Sequence, residues 1–381
     1  MVGLLLIALV AAAAPTVGAL SRSTLVLLDL QGDPALAAFR PALIHERAEF
    51  PTAGIGPASG WIVRPAQGQF TGALLVPGLQ LDLDEPNVRR GVDALARIGL
   101  AVLVPDVGGV NEAREDPQLA AEHLLTAGSD TRYEETLVGA FQHLRAAPYV
   151  KQQRVAILGF SRGASLAAIA AADPRISGQV AFLHWFGGYY DAGGLLLAMA
   201  THQIAGDQGP TAWVPAPWVV DRFSRGLITA SLPDEDERAE VIELLERRWS
   251  GASVTAPEDI AGLSPDGRRL LGLLSGCTPE EAAIYVAALP QQVTRLLQRV
   301  SPRTYLSGLK APVYVLHDRG DSFIPVSESR RFWAALPPVE RASYLEVSLF
   351  DHVMPDRGGR AGVPWDLAPL LFYLTGLVML T

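Results

Sequence analysis

Short apolar runs alternate along much of this chain with stretches whose apolar positions recur three and four residues apart. Ala42–Phe50 and Gly60–Pro65 predict two strands joined by the loop PTAGIGPAS, and Thr71–Val76 (TGALLV) predicts a buried strand ending at Pro77-Gly78. Over 86–98, Val88, Val92, Leu95 and Ala96 fall on one helical face. Ala101–Pro105 reads as a strand, 130–146 as a helix with Leu137, Phe141 and Leu144 on one side, Arg154–Phe160 as a strand and 162–172 as a helix made mostly of alanine. Val180–Trp185, Val313–His317 and Ala342–Val347 supply the remaining strands. Continuous apolar strands alternating with helices predict a parallel sheet covered on both faces, an α/β architecture.

The alternation stops between Tyr190 and Pro312. Pro233 followed by DEDE predicts the start of a helix that Arg247-Arg248 end, signs that suit the helix dipole, and Thr278-Pro279-Glu280-Glu281 is a capping box. No strand is predicted there. About 120 residues are too many for a loop and read as a helical insertion. Three segments follow: 1–21, a core made of 22–190 and 309–381, and the insertion 191–308.

Both ends are apolar. The start, MVGLLLIALVAAAAPTVGALSR, carries no charge before Arg22. It reads either as a signal peptide cleaved after Ala19, in Val17-Gly18-Ala19, or as an uncleaved membrane anchor. Either reading implies an extracytoplasmic protein, secreted or anchored through this segment, with a cytoplasmic location as the alternative. The end, DLAPLLFYLTGLVMLT, has no charge after Asp366 and is expected to be a final helix buried against the sheet.

Composition narrows the chemistry by exclusion. The 381 residues carry a net charge of −9, and no basic run suggests a nucleic-acid partner. The single cysteine, Cys277, allows no internal disulfide, and without CxxC or HExxH spacing no metal site is expected.

One short stretch stands out: GFSRG, 159–163, between a predicted strand and a predicted helix. Three explanations compete for it: a structural turn, an anion-binding loop, or a nucleophile on a strained corner. The phosphate-loop pattern GxxxxGK[ST] is absent. Gly-x-Ser-x-Gly between strand and helix has the form of a nucleophile elbow. Small residues at two before and two after the serine relieve clashes at a sharp turn, and the N–H of Arg162 can stabilise an oxyanion at the helix N-terminus. Such a serine needs a base, and the base an acid, in the chain order Ser, acid, His. Of the histidines after Ser161, His184 and His202 precede the last strands and leave little room for an acid. His317 ends a strand before Asp318 and Asp321. His352, in LFDHVMP, is the only histidine beyond those acids.

These motifs resemble the α/β-hydrolase superfamily, particularly its dienelactone-hydrolase-like and prolyl-oligopeptidase-like serine esterases. HDRGDSFIP, 317–325, is similar to their HGxxDxxxP stretch at His317, Asp321 and Pro325, and departs from it at Asp318, where glycine is usual. The resemblance implies a mostly parallel central sheet flanked by helices, with the insertion as a helical cap. It implies Ser161 as nucleophile, Asp321 as acid, His352 as base and His317 as a structural residue. The second oxyanion N–H is expected in VPGLQ, 76–80, from Leu79, with Gly78 as the alternative. Gly78, Trp185 and Tyr189 are candidate pocket residues.

The implied reaction is hydrolysis of a small-molecule or lipid-like carboxylic ester through an acyl-enzyme, with no cofactor. Dienelactone hydrolases proper carry cysteine as nucleophile, so their substrate is not implied. A thioester, a peptide or an acyl-transfer acceptor would use the same machinery. A non-catalytic, membrane-associated protein of the same fold is the rival reading and predicts a broken triad.

Overall fold

In the computed structural model, which describes residues 16–28, 41–78, 83, 85–106, 132–206, 209–251, 260–350, 352–353 and 363–381, the apolar runs pair into one sheet. After a helix over 16–28 (α1) come β1 (Leu43–Phe50), β2 (Ala58–Pro65), β3 (Phe70–Val76), α2 (Pro86–Arg97), β4 (Leu100–Pro105), α3 (Arg132–Ala146), β5 (Val150–Phe160), α4 (Arg162–Ala171) and β6 (Val180–Phe186). Next follow α5 (Ala192–Thr201), β7 (Gln203–Gly206), β8 (Gly209–Ala212), α6 (Pro217–Ser231), α7 (Glu235–Trp249), α8 (Pro265–Leu274), α9 (Pro279–Ala287) and α10 (Gln291–Arg299). The chain closes with β9 (Val313–Asp318), α11 (Val326–Ala335), β10 (Arg341–Val347) and α12 (Val363–Val378).

The eight-stranded sheet has the order β1-β2-β4-β3-β5-β6-β9-β10. β2 runs antiparallel to both β1 and β4, and every other neighbouring pair is parallel. Successive side chains of a strand point to opposite faces. Leu74 and Val76 of β3 therefore join one core with Leu137, Phe141 and Leu144 of α3 and with α4, while Ala73 and Leu75 join another with Val92, Ala94 and Ala96 of α2. A strand used on both faces has no polar side, which is why TGALLV reads as a continuous apolar run.

The stretch between β6 and β9 builds a separate apolar cluster from α5 to α10, with Tyr189, Phe323 and Ile324 of the core among its members. Asp234 caps α7, and Thr278 with Glu281 forms the capping box expected at α9. One expectation fails here: the insertion contains the hairpin β7–β8, with Gly206 opposite Gly209. Its strands have four residues each, both include Gly, and one includes Pro, so QIAG and GPTA carry no alternating pattern to read.

The termini also differ from expectation. α12 buries Leu370, Tyr373 and Val378 but leaves Trp365 82% and Phe372 73% exposed, so only one side of it lies against the core. At the other end, Ala19 is fully buried in the α2-side core, and Arg22 donates to the carbonyls of Ile98 and Val378. Cleavage after Ala19 would cut α1 and remove a core residue. Among the described residues no helix is long and apolar enough to cross a membrane.

His184 of β6 is buried among Phe160, Phe186 and Tyr373, and its Nε2 has no partner. Burial alone pushes this imidazole down from 6.5 to about 4. Below pH 6.5 the unfolded chain therefore takes up a proton that the folded chain refuses until about pH 4, and stability falls across that window. His184→Phe is expected to be more stable than the wild type by about 2 kcal/mol at pH 5 beyond any difference at pH 7. Urea melts of both proteins at the two pH values measure this.

Candidate active site

Ser161 sits at the turn from β5 into α4 with φ 57° and ψ −137°, a conformation that L residues rarely hold. Its neighbours make the corner feasible. A Cβ on Gly159 would overlap the Cα of Ala164, and one on Gly163 would overlap the carbonyl oxygens of Val76 and Pro77. The two glycines let α4 begin directly against the strand it leaves and against the end of β3. The Ser161 N–H donates to the Phe186 carbonyl at 2.8 Å, fixing the corner to the end of β6. Ser165, one turn along α4, accepts from the Tyr189 N–H at 2.9 Å and donates to the Tyr189 carbonyl at 2.7 Å.

The next residue along, Gly187, abuts the other part of the site. Asp321 Oδ2 and His352 Cε1 each lie 3.5 Å from where a Gly187 Cβ would stand. The Phe186-Gly187 step thus holds the serine backbone by one residue and borders the Asp321–His352 pair by the next. His352 donates from Nδ1 to Asp321 Oδ2 at 2.6 Å. The His352 Nε2 is buried and has no partner, and the ring lies with its centroid 4.6 Å from that of Phe323. His352 also has positive φ, 61°, in the turn that follows the last strand.

Asp321 is itself fully enclosed. Its Oδ1 accepts the N–H groups of Phe323 at 2.7 Å and Ile324 at 2.9 Å, and the His317 Nε2 lies 3.2 Å from Oδ2. Burial alone would raise this carboxyl. The His352 and His317 imidazoles hydrogen-bonded to it outweigh burial and hold it well below the usual carboxylate range. An Asp321 that stays ionised keeps the His352 proton on Nδ1 and leaves Nε2 as an acceptor.

His317 is held by the core. Its Nδ1 accepts from Ser329 Oγ at 2.5 Å, Ser329 accepts from the Trp185 indole N–H at 3.1 Å, and Nε2 donates toward the Ile324 carbonyl at 2.9 Å. A donor chain runs from Trp185 through Ser329 and His317 to the acid loop. Asp318, the other acidic candidate, accepts the N–H groups of Gly320, Leu349 and Phe350 at 2.8 Å each, and so ties the end of β9 to the chain leading to His352. Asp321, and not Asp318, meets His352.

The cap reaches the same loop. Trp213 donates its indole N–H to the Asp321 carbonyl at 2.8 Å, and Trp218 packs edge-on against Phe323 at 4.7 Å between centroids. Trp213→Phe would leave that buried carbonyl without its donor. It is expected to cost about 1–3 kcal/mol by urea denaturation.

The candidate pocket residues separate. Trp185 is fully buried, stacked on Phe332 at 3.9 Å and bonded through its indole N–H to Ser329 of α11, so it stands in the core; this corrects its expected place in the pocket. Tyr189 is buried beside Arg162, and Gly78 follows the Pro77 carbonyl that crosses Gly163. Leu79, the expected second oxyanion donor, lies outside the described residues. Sequence reasoning missed Ser329, Phe323 and Trp213. Only the spacing of Ser329 and Phe323 around Pro325 could have suggested the first two, and nothing local marks Trp213. Among the described residues no cluster of His, Cys, Asp or Glu could hold a metal ion.

An elbow at the end of β5, an acid after β9 and a histidine after β10, on this strand order, are the arrangement of the α/β-hydrolase fold. Over residues 75–193 the chain matches the model of the dienelactone hydrolase family. None of the curated proteins compared with it matches. Among solved structures it is similar to a protein of Legionella pneumophila subsp. pneumophila assigned as a hydrolase, at 11% identity and a TM-score of 0.54, with 93% of each chain covered. It is also similar to the acylaminoacyl peptidase of Pyrococcus horikoshii, at 14% identity and a TM-score of 0.45; 82% of this chain is covered, but it spans only 38% of the peptidase. A dienelactone hydrolase-like promiscuous phosphotriesterase from metagenomic libraries matches at 13% identity and a TM-score of 0.44, covering 88% of this chain and 98% of that one. At these identities the likeness is one of fold.

Proposed function

We propose that the protein is a serine hydrolase that cleaves a carboxylic ester through an acyl-enzyme. The observation that carries this reading is the state of His352: Nδ1 bonded to a buried, ionised Asp321, and Nε2 buried without a partner, in a pair that borders Gly187, the residue after the Phe186 carbonyl that holds the Ser161 N–H. An imidazole arranged in this way is a base waiting for a hydroxyl. Ser161 Oγ passes its proton to His352 Nε2 and attacks the ester carbonyl. The imidazolium, held by Asp321, returns the proton to the departing alcohol. The N–H of Arg162, at the first position of α4, receives the oxyanion together with a donor from the segment after β3. Water activated by His352 then releases the acid.

Residues 191–308 act in this reading as a cap that limits substrate size, and the contacts of Trp213 and Trp218 with the Asp321 loop support it. The uncharged segment before α1 supports an extracytoplasmic, anchored protein, which fractionation of an N-terminally tagged chain tests. Labelling with a fluorophosphonate probe tests the chemistry. Label on the wild type and none on Ser161→Ala is the expected result, followed by turnover of p-nitrophenyl esters. Absence of label on well-folded wild type would sink the reading.

A further inference from the structure

The exposed apolar side chains of this protein are not scattered. Thirteen large ones stand exposed among the described residues, and seven of them lie on α1 and on α12 with the turn that ends it. Single exposed apolar residues are ordinary; a gathering of them on two neighbouring helices is not. The two helices do adjoin. Arg22 of α1 donates to the Val378 carbonyl, Ala19, Val26 and Val378 share one core, and Leu27 packs with Leu370 and Tyr373 of α12 in another.

On α12 the exposed positions follow a rule. Trp365, Phe372 and Met379 recur every seven residues, so they form one stripe along the outer side of the helix, with the exposed Ala368 and Pro369 between them. No charge interrupts it. Asp366, the only charged residue in 363–381, accepts the Ser348 N–H at 2.6 Å and pairs with Arg319 at 3.4 Å. Arg22, the only charged residue of α1, is spent on the carbonyls of Ile98 and Val378. Residues 1–15, outside the described residues, contain no charged side chain and lead directly into α1.

This face suits lipid better than a protein partner. A protein interface carries a polar rim that hydrogen-bonds across it, whereas the stripe's one polar side-chain group is the Trp365 indole N–H, of the kind found at headgroup level. The helix does not reach across a bilayer. Its 16 residues extend about 24 Å against a hydrocarbon core of about 30 Å, and Leu370, Tyr373 and Val378 hold its other side to the core. It can only lie along the surface.

We propose that the outer side of α12, with α1 beside it, rests on a lipid bilayer, with Trp365, Phe372 and Met379 at the boundary between headgroups and acyl chains. This rests on the anchored reading above and adds to it a second contact, made by the folded core. Asp366 ties the first turn of α12 to Ser348, in the chain that leads to His352, so the contact would set the catalytic end of the sheet beside the headgroups.

Tryptophan fluorescence of the full chain, reconstituted into phosphatidylcholine vesicles with and without brominated acyl chains, tests the proposal, because bromine quenches an indole only at close range. Six other tryptophans contribute to the emission, and Trp365→Phe isolates the one in question. Brominated lipid is expected to quench the wild type, and the quenched fraction should fall about twofold in Trp365→Phe. Phe372→Asp should stay bound through residues 1–15 and lose a similar share of the quenching. A bound wild type and a bound Trp365→Phe that are quenched alike overturn the α12 contact and leave the anchor standing. Crosslinking of the bound wild type into a dimer that Phe372→Asp abolishes, with Trp365 unquenched, also overturns it and assigns the stripe to a second copy. A wild type that stays off the vesicles overturns both.

Discussion

Conversion of His352 to alanine is expected to lower ester turnover by about 10⁶-fold, with no loss of folded protein. In the proposed mechanism the imidazole accepts the Ser161 proton, while Asp321 is committed to the Phe323 and Ile324 N–H groups and to His352 itself. The Ser161→Ala, His352→Ala double variant should be about as slow as either single one, since each change removes the same step. Asp321→Asn should cost about 10⁴-fold, because the amide donates where the carboxylate accepted and so favours the wrong tautomer of His352. Burst and steady-state kinetics on a p-nitrophenyl ester measure all four variants. Asp321 also contributes to stability. Its depressed folded value means that this contribution is present above the unfolded carboxyl value, about 3.9, and is lost as the pH falls toward the folded one.

Gly163→Ala is expected to prevent folding. A methyl group there would overlap the carbonyl oxygens of Val76 and Pro77, and these are backbone atoms at the end of a central strand. A flexible side chain could move aside; β3 cannot, because it is hydrogen-bonded on both sides, to β4 and to β5. Overpacking a tight core site already costs about 1–3 kcal/mol where side chains can yield, and more where they cannot. Soluble yield and circular dichroism of the purified variant measure the effect. Gly178→Ala serves as the control: its Cβ would meet nothing within 4 Å, and normal expression is expected.

Much of the fold was legible along the chain because each central strand is apolar on both faces and each flanking helix shows its period. The eight strands of the main sheet fall where the apolar runs stand, within a few residues at their ends. The hairpin β7–β8 was not legible, since strands of four residues with exposed side chains bury nothing that would leave a pattern. The open side of α12 was also hidden. Its outward positions are as apolar as its inward ones, so the sequence offers no contrast between them. At the site, GFSRG announces its corner because the glycines that a sharp turn requires are close in sequence to the serine they serve. The spacing of HDRGDSFIP distinguishes Asp321 from Asp318 only by resemblance; their separate bonds, to His352 and to the Gly320, Leu349 and Phe350 N–H groups, supply the physical distinction.

The sequence by itself determined the layered α/β architecture, the elbow at Ser161 and the order in which serine, acid and histidine occur. These are local properties, written in periodicity, turn residues and spacing. Only the tertiary structure decided what surrounds them. It set Trp185 in the core rather than the pocket, brought Trp213 of the cap onto the Asp321 carbonyl and left two buried nitrogens of Arg162 without a partner among the described residues. Whether a polar atom finds a partner depends on residues a hundred or more positions away, as Trp213 and Asp321 are. That is fixed by packing, which no short window of sequence contains.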